Sequence, residues 1–146
     1  MTTTPIWSTV ATLAARVTFA GIFGMALYFK LTGIHATAGY IEMIGLPFPL
    51  FLACCAAAFE LGLVLAFLTG AFMTEAALAA TAYVLFLAFS FHGPATWGAS
   101  EVGFGFFVDH FSFAAGLLFA AAHGPGRFAL NLRVIPQSVP GVTARA

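Results

Sequence analysis

Four apolar stretches, each about 20 residues long, decide what this chain can fold into. They cover residues 8–29, 49–69, 72–91 and 104–122. As helices rising about 1.5 Å per residue, stretches of this length cross the hydrocarbon core of a bilayer. A soluble fold of the same size would leave a large apolar surface in water. The composition agrees: 62% of the 146 residues are hydrophobic and 7% are charged, where soluble domains carry about 25% charged residues. The chain reads as an all-α integral membrane protein: a four-transmembrane-helix bundle forming one membrane domain over residues 1–131, with 132–146 as a flexible tail. Lipid is its surrounding partner. The formal net charge of zero gives no electrostatic footprint for nucleic acid.

Proline and glycine punctuate the spans. "GLPFP" precedes the second, where proline suits a first helical turn. "FHGPATWG" closes the third and "HGPGR" the fourth. The first span lacks a basic leading segment and is too long for a signal h-region, so it reads as retained. Between spans one and two, "KLTGIHATAGYIEMIGLP" is too short and polar to cross. Ile34, Tyr40, Ile41, Ile44 and Leu46 make it partly amphipathic, so it reads either as a short interfacial helix at the outer surface or as an irregular loop. Arg127, Arg133 and Arg145 follow the last span, and Lys30 is the one basic residue in the opposite loops. By the positive-inside rule both termini are cytoplasmic. The adjacent Cys54 and Cys55 fit no zinc or redox spacing and read as small apolar helix residues.

Glu60 lies inside "LACCAAAFELGLVLAFLTG", near the bilayer centre, where a charge costs at least about 2.5–3.5 kcal/mol. Arg16 lies well inside the first span. If the first two spans are centred together, Arg16 lies about 4 Å and Glu60 about 1–2 Å to the cytoplasmic side of the midplane, so the two are expected to pair. Tyr83 and Ser112 fall at similar depth, giving a candidate buried polar or ligand site of Arg16, Glu60, Tyr83 and Ser112. A buried ion pair that only fixes the register of the bundle explains the same charges. A second cluster gathers at the outer ends of the spans: Lys30, His92, Asp109 and His110. Imidazole and carboxylate there suit proton relay, but no spacing supports a metal site. No nucleophile–base pair, phosphate loop or cofactor-ligating set marks a catalytic centre.

Arg16, "FAGIFGMALYFKLTG", "YIEMIGLP", "FELGLVLAFLTG" and "FAAGLLFAAAHGPGRF" follow one another in an order that resembles the DoxX family of small bacterial membrane proteins. The resemblance covers residues 12 to 131 and carries over Arg16, Lys30, Gly45, Pro47 and Glu60, with Gly45 and Pro47 forming a family turn. It implies a four-helix protein of the bacterial inner membrane, linked in relatives to quinone-coupled sulfur oxidation and to redox-stress complexes. This chain departs from the family in having Thr74-Glu75 and Asp109-His110, where relatives often carry an arginine and a Lys-Asn pair. Both changes remove a positive charge that would favour an anion such as thiosulfate.

Three functions are consistent with these features. The first is a small membrane subunit of a quinone-linked redox complex, with no covalently bound cofactor and electrons supplied by a protein partner. The second is a structural or assembly subunit without chemistry of its own, in a larger complex or a homo-oligomer. The third is a small transporter, which would need oligomerisation because no inverted repeat is evident.

Overall fold

A computed structural model describes residues 6–98, 101–130, 132 and 134. Among these residues the regular structure is all helical: α1 (Ile6–Thr32), α2 (Ile34–Met43), α3 (Pro49–Thr69), α4 (Met73–His92), a 3-10 turn at Pro94–Thr96, and α5 (Glu101–His123). Four of these helices are long and apolar enough to cross a membrane. The chain is a multi-pass membrane protein. The tail expected to be flexible, with Arg133 and Arg145, lies outside the described residues apart from Leu132 and Val134.

Local chemistry sets the helix ends. Pro49 opens α3 at its first turn, where a missing N–H costs nothing. Gly70 closes it with φ +74°, donating its N–H to Ala66 O at 2.7 Å, the left-handed stop that glycine adopts without strain. α4 stops before Gly93-Pro94, since proline cannot continue the hydrogen-bond ladder. Gly45, at φ +75°, turns the chain after α2.

The bundle core is built from aromatic rings on one side and small residues on the other. Phe19 and Phe23 of α1 meet Phe67 of α3 at centroid distances of 5.4 and 5.9 Å, and Phe113 of α5 at 5.5 and 5.6 Å. Ala77, Ala80 and Ala88 of α4 are fully buried. α4 packs extensively on α5, and small side chains let two backbones approach closely in a membrane. Outside this core stand exposed Phe86, Phe89, Phe106, Phe111 and Phe119, a surface suited to hydrocarbon rather than water.

α2 settles the open choice between helix and loop in favour of the short helix. It does not extend past the end of α3 but packs along the first half of it: Ala38 and Ile41 form a small core with Ala53, flanked by Leu46, Leu52 and Phe91. A Cβ placed on Gly24 would lie 3.8 Å from Val64 Cγ2, which sets the register of α1 against antiparallel α3. In that register α1 ends roughly level with Ala56, and α2 occupies the space beside the residues before it.

Candidate functional site

This register rearranges the expected charge pairs. With Gly24 against Val64, Glu60 comes level with Tyr28 and Lys30, about ten residues or roughly 15 Å along α1 from where centred spans would place its partner. Lys30 Nζ forms an ion pair with Glu60 Oε1 at 2.7 Å. The expected Arg16–Glu60 pair is therefore not formed. Arg16 reaches the other end of α3, where Nε donates to Phe67 O at 2.9 Å and Nη2 to Leu68 O at 2.6 Å. Its Nη1 donates to Pro125 O at 3.1 Å and to Phe128 O. A guanidinium offers five N–H donors in a rigid fork. Here it caps the unpaired carbonyls at a helix C-terminus, where the helix dipole also favours positive charge. Arg16 is 2% exposed; it locks α1, α3 and the chain after α5 together and takes no part in the Glu60 site.

At that site Tyr83 Oη donates to the same oxygen as Lys30, Glu60 Oε1, at 2.9 Å. The Tyr83 ring packs edge-on against Phe59 at 5.2 Å. Glu60 is 1% exposed and Lys30 17%, so the carboxylate is buried and the ammonium reaches it along an aliphatic stem. Two donors converge on Oε1, while Oε2 is buried with no hydrogen-bond partner among the described residues. A buried carboxylate oxygen without a donor is costly, and natural structures keep such atoms rarely and with a reason.

Two cavities flank the triad. The smaller, about 290 Å³, is walled by Lys30, Glu60, Tyr83, Asp109 and His110, together with apolar side chains including Phe23, Val84 and Phe113. All four membrane-spanning helices contribute an ionisable group to it. The larger, about 580 Å³, lies between α2, α3 and α4. Thr37, Tyr40, Ile41, Leu46, Phe59 and Phe91 line it, with Lys30 and Tyr83 common to both cavities. Cys55 also borders the larger cavity, and both cysteines are free.

The two groups of residues expected from sequence thus merge in part. Lys30, Asp109 and His110 of the outer-end group share a cavity with Glu60 and Tyr83. His92 borders the larger cavity, its ring 5.2 Å from that of His110. Ser112 is not in the site: its hydroxyl donates to Val108 O of its own helix at 3.3 Å and is exposed. Gly45 and Pro47 shape the turn before α3 and place Leu46, which lies between them, against the larger cavity. Among the described residues no three His, Cys, Asp or Glu side chains come together to hold a metal ion. The sequence did carry a signal for the Lys30 contact: α1 stays helical past Lys30, with no glycine or proline between Lys30 and Gly33. A lysine inside a helix end can turn its stem back along the bundle.

Residues 11–93 match the model of the DoxX family, a stretch that holds Arg16, Lys30, Glu60, Tyr83 and His92. The chain is also similar to the inner membrane protein YqjF of Escherichia coli (strain K12), 30% identical over 122 residues, which is 84% of this chain and 90% of that protein. No solved structure matches it.

Proposed function

The chain belongs to the DoxX family, and from that premise we propose that it is a small inner-membrane subunit of a quinone-linked redox complex, both termini facing the cytoplasm. The single observation that carries the reading is the Lys30–Glu60–Tyr83 triad opening onto a cavity of about 290 Å³ within the membrane bundle. Ionisable groups at such depth face bundle interiors or water-filled cavities and mark sites of function. Quinone, when bound, supplies two-electron carriage between partners within the bilayer. The chain's own residues fit its head group. Lys30 Nζ has N–H bonds left over from its contact with Glu60, and Glu60 Oε2 is a free acceptor. The apolar walls Phe23, Val84 and Phe113 exclude strongly hydrated ligands. The larger cavity gives an apolar channel beside Lys30 and Tyr83 for the tail.

The test is native mass spectrometry of the full chain, purified from its own membrane in mild detergent. The reading expects a retained quinone mass or a co-purifying oxidoreductase, with the quinone lost in Lys30→Met. Only lipid bound, with no redox partner, would overturn it. A second reading, an assembly subunit without chemistry, has one observation in its favour: α5 is the least covered of the four spans and exposes Phe104, Phe106, Phe111 and Phe119. That reading expects substitutions at Glu60 to leave partner activity intact and substitutions on the exposed α5 face to dissolve the complex.

A further inference from the structure

We infer that the Glu60 cavity selects the hydroxyl-bearing, reduced form of its ligand, a hydroquinone, over the carbonyl-bearing oxidised form. This rests on the quinone-site reading above and adds which redox form the site holds.

Glu60 accepts from Lys30 Nζ at 2.7 Å and from Tyr83 Oη at 2.9 Å, both at Oε1. Oε2 receives nothing and is buried in a side chain that is 1% exposed. The atom that lacks a partner is therefore an acceptor, and the group it lacks is a donor. Tyr83 has a single O–H, and it is already directed at Oε1. The remaining polar group shared with the triad is Lys30, which has three N–H bonds and spends one on Oε1. Asp109 and His110 of α5 also face this cavity. His110 Nδ1 is engaged with Phe106 O of its own helix at 2.6 Å.

Lys30 and Glu60 both line this cavity, so a ligand oxygen seated between them is offered a cation that donates and, where the neighbouring side chains give way to uncover Oε2, a carboxylate oxygen that accepts. A hydroxyl answers both: it accepts from Lys30 Nζ and donates to Glu60 Oε2. A quinone carbonyl can only accept, so Oε2 would stay buried without a donor after the cavity closed around the ring. Sites that pair a buried polar group with a ligand hydroxyl reject the analogue lacking it, because the site's own group is left unsatisfied. Hydrogen bonds with an ionised partner are also the stronger kind. The apolar rim of Ile22, Phe23, Ala26 and Phe113 favours a ring over a hydrated alcohol.

The experiment uses the full chain in lipid nanodiscs, with empty nanodiscs correcting for partition. A decyl-tailed benzoquinone and its two-electron-reduced quinol, handled without oxygen, are titrated calorimetrically. The expected result is quinol binding at least tenfold tighter than quinone. Glu60→Gln is expected to abolish or reverse the preference, since an amide N–H can donate to a carbonyl. Equal affinity, or tighter quinone binding, overturns the selectivity and leaves the quinone-site reading standing. No binding of either form above empty nanodiscs overturns both. A quinol preference that survives in folded Glu60→Gln overturns the assignment to Glu60. The wild-type comparison alone decides the selectivity if that variant does not fold.

Discussion

Glu60 and Arg16 are both charges buried in a membrane bundle, yet they are neutralised by different means. Glu60 depends on a single cation. Removing Lys30 as Lys30→Met leaves an unpaired buried carboxylate, for which about 3–5 kcal/mol of destabilisation is expected. Replacing both residues, as Lys30→Met with Glu60→Leu, is expected to recover most of that loss, because an apolar pair is a good substitute for a buried ion pair. Thermal unfolding of the two variants in the same detergent checks this; equal losses would mean that the pair is not coupled. Arg16 instead relies on four carbonyls from two segments of chain, the end of α3 and the stretch after α5. Arg16→Lys keeps the charge but loses the planar fork, so it is expected to be clearly less stable than wild type. Arg16→Ala should also release the chain at 124–130, read as faster amide hydrogen exchange there than in α4. Equal protection of both segments would count against the cap.

Between elements, span limits were largely legible and span registers were not. Pro49 and Gly70 bracket α3 with the residues that start and stop helices, and the sequence-based limits of that span, 49–69, agree with the structure. Depth was reckoned by centring spans on one another, which assumes that helix ends line up across the bundle. They do not, because α2 packs on the first half of α3 and α1 ends short of it. Sequence depth therefore brings Glu60 and Tyr83 level, while it puts Lys30 at the outer ends of the spans and pairs Arg16 with Glu60, where the structure pairs Lys30 with Glu60. Sequence periodicity carries no information about how far one helix slides along another. The turns allow a sharper test. Gly70 needs both its backbone and its missing side chain: φ is +74°, and an added Cβ would lie 2.4 Å from Ala129 Cβ and 3.0 Å from Arg16. Gly45 has a similar φ of +75° but open space around it. Gly45→Ala is expected to cost about 1–2 kcal/mol of left-handed strain alone, and Gly70→Ala distinctly more. Melting temperatures measured side by side give the order, and a smaller loss at Gly70 would contradict the close approach.

For the whole molecule, aromatic rings face outward around an apolar core, and five ionisable groups line one cavity between the spans. The proposed orientation rests on the arginines that follow the fourth span in the sequence. A fluorescent protein fused to the carboxyl end is expected to fold and fluoresce in the cytoplasm; a silent fusion, with an active phosphatase fusion at the same place, would invert the topology. The arginine cap also has a consequence for biosynthesis. Arg16 enters the membrane with the first helix, but Pro125 O, one of its acceptors, lies 109 residues further along the chain. Until that stretch has left the ribosome, α1 carries a guanidinium whose hydrogen bonds are incomplete. Completion of the cap therefore waits until residues 125–128 have been made, after all four spans, and a chain halted before Phe128 carries a guanidinium without its full set of acceptors.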